Sequence, residues 1–285
     1  MPILLSHQMF KRSWYASSKF IEGEPPGYIC PICLRIVRDA QELTREHVPP
    51  KSMGGRVICL TCKNCNNRAG HTIDAAMNER RLMSQVMVSG TKGKQQIQLR
   101  ADGLNVNASL VRQGSGAHFN IDPRHNDPHS VEQFNAAAST SGNLKLEIYY
   151  RNKFSERQAM VGYLRAAYLF LFAKYGYEWI LHRSLDTVRE QIKNPENELI
   201  WKWWLRREKA SAVNAIYFCD HPLNCALVAI AEHVIVIPSA FDSSDPYALV
   251  KAICLGKNEG DYLGDFSVKG PIGVPNSMEL LLDFL

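Results

Sequence analysis

The sequence lacks any long hydrophobic run. Its most strongly apolar stretch, residues 166–173, is far too short to span a bilayer, so no membrane partner is expected. The first residues, MPILLSHQMFKRSWY, hold no apolar core of the kind a secretory signal needs. A cytoplasmic protein is therefore expected, one whose eight cysteines stay reduced. No internal repeat and no low-complexity tract is present, which excludes a repeat array. With 46% hydrophobic residues the chain is globular. Acidic residues are scarce at the start. Residues 1–94 hold 14 Lys and Arg against 7 Asp and Glu, whereas residues 95–285 hold 19 against 21. A basic surplus confined to one segment suits a polyanionic partner such as nucleic acid.

That same segment carries the chemistry. Two cysteine pairs, Cys30-Pro-Ile-Cys33 and Cys62-Lys63-Asn64-Cys65, bracket the run Glu46-His47-Val48-Pro49-Pro50. Two such pairs about thirty residues apart can close four thiolates around one zinc. Cys59 precedes Cys62 at the same spacing, so the spacing alone leaves two registers open for the second pair. Between the pairs stand a carboxylate for a metal and an imidazole for a water, the groups that metal-assisted hydrolysis needs. In a strand, neighbouring side chains point to opposite faces, so Glu46 and His47 need a twist or bulge to converge. Gly54-Gly55 marks a turn, and residues 67–88 read as helical.

These residues resemble the HNH endonucleases, a ββα-metal family. There a first cysteine pair leads into a hairpin carrying an acid–His pair, and a second pair opens a short helix carrying Asn or His. The resemblance covers about residues 28–77. It implies a structural zinc on Cys30, Cys33, Cys62 and Cys65, with Cys59 a small core residue. It also implies His47 as general base, and Glu46 with Asn66 as ligands of a catalytic Mg²⁺ or Mn²⁺. Asn67 matches a variant pattern of the family, so the helix ligand is Asn66 or Asn67. His71, further along that helix, is a secondary candidate near the metal. Lys51, Lys63 and Arg68 are expected to contact phosphate. The family's middle asparagine is absent, since residues 56–61 read Arg-Val-Ile-Cys-Leu-Thr. That departure bears on how His47 is held.

The rest of the chain is not recognisable as any family and reads as mixed α+β. The expected organisation is a leader at 1–27, a nuclease module at 28–90, a linker near 89–94 that lets the two parts separate, and a regulatory or partner-binding domain at 95–285. Residues 104–110 and 144–148 alternate as strands, and 112–130 read as a loop. Residues 156–175 form an amphipathic helix with Gly176 as its cap. Ser184 is placed to cap a helix ending near Ile192. Residues 215–219 and 226–238 read as two strands. Asp122, His125, Asp127 and His129 read as a solvated turn before a metal site, and Trp201, Trp203 and Trp204 as core before base-stacking residues.

The function expected is metal-dependent hydrolysis of DNA phosphodiester bonds by nicking, with double-strand cleavage in a homo-oligomer. Two other readings compete: a non-catalytic zinc module that binds nucleic acid or protein, and an RNase or partner-activated effector in antiviral defence.

Overall fold

The computed structural model describes residues 13–23, 25, 27–88, 93–101, 103–113, 116–140, 145–150, 154–206, 213–221, 223–240, 245–256 and 267–275. Helices mix with antiparallel sheets, as an α+β chain requires. Two compact units result, Met1–Met77 with Arg157–Leu285, and Asn78–Glu156. This differs from the division at residues 89–94 expected from composition. Residues 89–92 lie outside the described residues, and Gly93 and Lys94 already belong to a strand.

The first unit begins with residues 13–18, which are helical, and the buried Ser17 Oγ accepts from Ile29 N at 2.7 Å. Strands β1 (Tyr28–Ile29) and β2 (Ile36–Val37) form a small hairpin, and β3 (Leu43–Val48) pairs antiparallel with β4 (Arg56–Cys62). The β3–β4 connection depends on Gly55, where a Cβ would fall 1.4 Å from the Pro49 carbonyl oxygen. Gly54 has φ 81°, which glycine adopts without strain. Helices α1 (Lys63–His71) and α2 (Ile73–Val88) follow.

The second unit is a four-stranded sheet ordered β7-β6-β5-β8, made by β5 (Gly93–Ala101), β6 (Leu104–Gln113), β7 (Gly116–Ile121) and β8 (Glu147–Tyr150). Ile97, Leu99, Val106, Ala108 and Leu110 fill one face, and Phe134 and Val131 of α3 (Pro128–Thr140) pack on it. The loop expected at 112–130 is thus largely β7 and the start of α3. Gly114, Gly116 and Pro123 bound a strand of six residues, and these breaker signals outweigh its alternation. Asp127 accepts from Ser130 N and Oγ, both at 2.9 Å, at the start of α3. Asp122 pairs with Arg124 and His125 at 3.2 Å each.

The chain then returns to the first unit through α4 (Glu156–Ile180). Gly176 has φ 70° and breaks the helical backbone, although helix resumes to Ile180. Every residue from Ala159 to Ala173 is buried, so α4 carries no one-sided stripe. Its neighbours explain this. The β1–β4 segment packs in the same core as one face of a five-stranded sheet ordered β13-β10-β11-β12-β9. That sheet contains β9 (Trp204–Arg206), β10 (Ala215–His221), β11 (Cys225–Ile230), β12 (His233–Pro238) and β13 (Ser267–Gly273). Before it comes α5 (Asp186–Lys193), which Leu185 precedes as cap, so Ser184 is not the cap and instead donates to Ser239 O. The apolar run at 226–238 is two strands, folded back at Ala231 (φ 51°). The sheet's other face packs on α6 (Pro246–Gly256) through Val250 and Tyr247. Trp203 is fully buried, and Trp201 is partly exposed.

Helix α4 also satisfies the cysteine segment's backbone. Tyr168 Oη donates to Pro31 O and Tyr177 Oη to Ile29 O, each at 2.7 Å and buried. Gly162 packs so closely on α2 that a Cβ would meet Ile73 O at 2.9 Å. Removing α4 strips these donors and exposes the shared core. A fragment of residues 1–90 is therefore expected to show no cooperative thermal unfolding, although the linker reading made it separable. A fragment melting as sharply as the full chain contradicts the shared core.

Candidate active site and metal centre

The local sequence builds a thiol cluster from two turns. Cys30 and Cys33 flank the bend after β1, where Leu34 N donates to Cys30 O at 2.9 Å and Leu34 takes φ 57°. Cys62 ends β4 and caps α1, its Sγ accepting from Cys65 N at 3.5 Å. The Sγ atoms of Cys30, Cys33, Cys62 and Cys65 all lie within 4.8 Å of one another, with Cys33 and Cys62 3.8 Å apart. A tetrahedral zinc with bonds of about 2.3 Å needs sulfur–sulfur edges of about 3.8 Å. The donor set and spacing therefore fit zinc. Hydrogen bonds within the cluster hold the Cys62 and Cys33 thiols below their ordinary range and push Cys30 and Cys65 above it, so the four thiols share their protons. Among the described residues this is the one cluster of three or more His, Cys, Asp or Glu donors with such spacing.

Cys59 lies outside the cluster. It is fully buried on β4 opposite Glu46, and burial pushes its thiol well up. The two registers left open by spacing are thereby separated, and the cluster uses Cys62 and Cys65.

Glu46 and His47 occupy an irregular part of the hairpin. Glu46 pairs with Cys59 but His47 pairs with Val57, so Ile58 is an extra residue and the ladder bulges between them. A bulge adds local twist, the distortion that convergence of adjacent side chains requires. His47 is half-buried. Glu46 is 2% exposed, and both its contacts fall on Oε2: Thr61 Oγ1 donates at 2.9 Å, and Arg165 Nη2 lies 2.7 Å away. Arg165 is itself 3% exposed, and its Nη1 donates to Asp74 Oδ1 at 3.4 Å. Burial alone would lower the Arg165 guanidinium, but the charges of Glu46 and Asp74 outweigh it and raise it. Burial raises the Asp74 carboxyl, opposed by Arg165.

Arg165 had no place in the sequence reading. A signal was present: it is the sole charged residue between Gln158 and Ala173 in an otherwise apolar helix. A charge at such a position needs a buried partner.

Asn66 sits in the first turn of α1, and its Nδ2 donates to Thr44 Oγ1 at 2.6 Å. Thr44 and Glu46 share one face of β3 by alternation. This bond commits the amide nitrogen to the strand and leaves the carboxamide oxygen as the donor for a cation. Asn67, His71, Lys63 and Lys51 are exposed. Neither asparagine caps α1, because Cys62 does. Arg68 lines a cavity of about 100 Å³ with Arg165 and Lys193, a cationic recess beside Cys33 and Cys65. Neither Glu46 nor Asn66 lines this recess.

Residues 30–82 match a family model described as HNH endonuclease. The matched segment spans all four clustered cysteines, the β3–β4 hairpin, α1 and the first part of α2. No curated protein and no solved structure matches the chain. An HNH module with a four-cysteine cluster compatible with zinc thus stands at the N-terminus, and it supports a nuclease-type function in general.

Cys30→Ser and Cys65→Ser are expected to lose zinc and solubility together, since structural zinc ligation contributes directly to folding. Cys59→Ser is expected to keep its zinc. Elemental analysis of the purified variants checks this; loss of zinc from the Cys59 variant alone contradicts the ligand set.

Proposed function

We propose that this chain is a metal-dependent endonuclease that hydrolyses DNA phosphodiester bonds. One observation carries the reading: the HNH match contains a bulged hairpin with Glu46-His47, beside a helix whose first turn presents Asn66. Glu46 and Asn66 would hold Mg²⁺ or Mn²⁺, a hard cation suited to oxygen donors. Such a cation supplies charge neutralisation at the scissile phosphate when bound. His47 accepts the proton of the attacking water, for which a half-buried imidazole with access to solvent is suited. Lys51, Lys63 and Arg68 hold the backbone through phosphates, so binding through this module falls with salt. One such site cuts one strand per event, and a double-strand break takes two copies or two visits.

A second reading has one observation in its favour. Glu46 Oε2 already carries Arg165 and Thr61, as in a structural ion pair. On that reading the module is a zinc-stabilised binding element for nucleic acid or protein. Association with a defence-system partner belongs to this second reading as much as to the first.

Plasmid nicking with a chelator control separates them. His47→Ala is expected to lose at least about a hundredfold in nicking rate, the range of general-base catalysis, while zinc content and melting temperature stay unchanged. Asn66→Ala is expected to raise the Mg²⁺ or Mn²⁺ concentration for half-maximal rate without releasing zinc. A shifted midpoint in Asn67→Ala alone moves the ligand by one residue. Wild-type protein that is zinc-loaded yet inert on DNA and RNA contradicts the nuclease reading.

A further inference from the structure

We propose that the open face of the β5–β8 sheet reads the base edges of duplex DNA; this rests on the nuclease reading above and names where its substrate is recognised. The face is defined by register. Tyr149 pairs with Gln98, and Arg100 pairs with Asn105. Gln96 pairs with Ser109, which in turn pairs with Asn120. These residues alternate with Ile97, Leu99, Val106, Ala108 and Leu110, which face α3. Gln96, Arg100, Asn105 and Asn120 are exposed, and Tyr149 is 43% exposed.

The composition of this face is not explained by strand stability. Asparagine is depleted in strands, where β-branched residues serve better. Here amides and a guanidinium occupy mid-strand positions. Those groups match base edges: Asn and Gln pair two-point with adenine N6 and N7, and Arg with guanine O6 and N7. Asn107 is excluded from the set, because its Nδ2 donates to His125 O and its backbone is held by Asn126.

Arg100 is held ready. Its guanidinium lies 3.9 Å over the Tyr149 ring, and its Nη2 donates to Gln98 Oε1 at 3.1 Å. Tyr149 Oη donates in turn to Glu147 Oε2 at 3.0 Å. Charge agrees with a polyanion. Residues 78–156 hold ten Lys and Arg against seven Asp and Glu, so this unit carries more than half of the chain's net +5. A platform for single-stranded nucleic acid instead stacks successive bases on several aromatic rings. This face offers Tyr149, and Arg100 already covers it.

The test is fluorescence anisotropy of the full chain with a labelled mixed-sequence duplex, Ca²⁺ being the one divalent ion added. Arg100→Ala is expected to weaken binding about tenfold, as loss of a two-point base contact does, and Gln98→Ala by a smaller factor, because Gln98 Oε1 accepts from Arg100 and positions its guanidinium. Gln98→Ala is expected to leave the salt dependence unchanged, because a neutral amide releases no counterions from the duplex. Gln133→Ala, exposed on α3, is the control and is expected to bind as wild type. Gln98→Glu preserves side-chain size, so loss of binding with an unchanged melting temperature supports the proposal where the alanine variant unfolds. Variants that bind as wild type, while wild type binds and nicks plasmid, overturn this surface and leave the nuclease reading standing. Wild type that neither binds nor nicks overturns both. Tighter binding to single-stranded RNA of the same sequence, lost in the same variants, overturns the duplex assignment.

Discussion

The first unit is organised around a charge that cannot stand alone. Arg165 sits in the middle of α4, 3% exposed, and the structure meets it with Glu46 at 2.7 Å and Asp74 at 3.4 Å. Desolvating one guanidinium without partners would cost several kcal/mol, and removing one partner of a buried pair typically costs about 3–5 kcal/mol. Glu46 comes from the β3–β4 hairpin, Asp74 from α2 and Arg165 from a helix some ninety residues later in the chain. One ionic network thus ties three separate elements into a fixed register. Hydrophobic burial brings these elements together, but it is not directional. The ion pairs and the Thr61 hydroxyl set which carboxylate faces which helix.

The four-cysteine cluster performs a similar task at the other end of the hairpin. It joins the turn after β1 to the start of α1, which bury Ile32 and Ala69 in the shared core. Zinc ligation contributes directly to folding, because the unfolded chain lacks the site. Tyr168 and Tyr177 then hold the carbonyls of Pro31 and Ile29, so the cluster is fastened to α4 by buried hydrogen bonds. The β3–β4 hairpin, the cysteine cluster and α4 share one core. This explains why the chain's basic segment does not end where its fold ends.

Much of the candidate site was legible from spacing. The cysteine pairs, the acid–His dipeptide and the need for a bulge beside it follow from residue types and strand geometry, and the ladder does shift between Glu46 and His47. The α+β class was legible from alternation and helical period. Three things were not. The partner of Glu46 lies in a segment with no local motif, and only the isolated charge in an apolar run pointed to it. The unit boundaries were hidden because α4 returns to the first unit after an excursion of about eighty residues, a tertiary fact with no local signature. β7 was hidden because Gly114, Gly116 and Pro123 bound a strand of six residues, breaker signals that outweighed its alternation between the covered and the open face. That same open face is where Gln98 and Arg100 stand.

The central claim is that Glu46 and Arg165 are energetically coupled, not merely adjacent. A double-mutant cycle of Glu46→Gln and Arg165→Met, read by urea unfolding of the zinc-saturated full chain, tests it most directly. A coupling energy of about 1–3 kcal/mol is predicted, as for contacting residues in one ionic network. Single-variant effects that add to within about 0.5 kcal/mol would contradict the account.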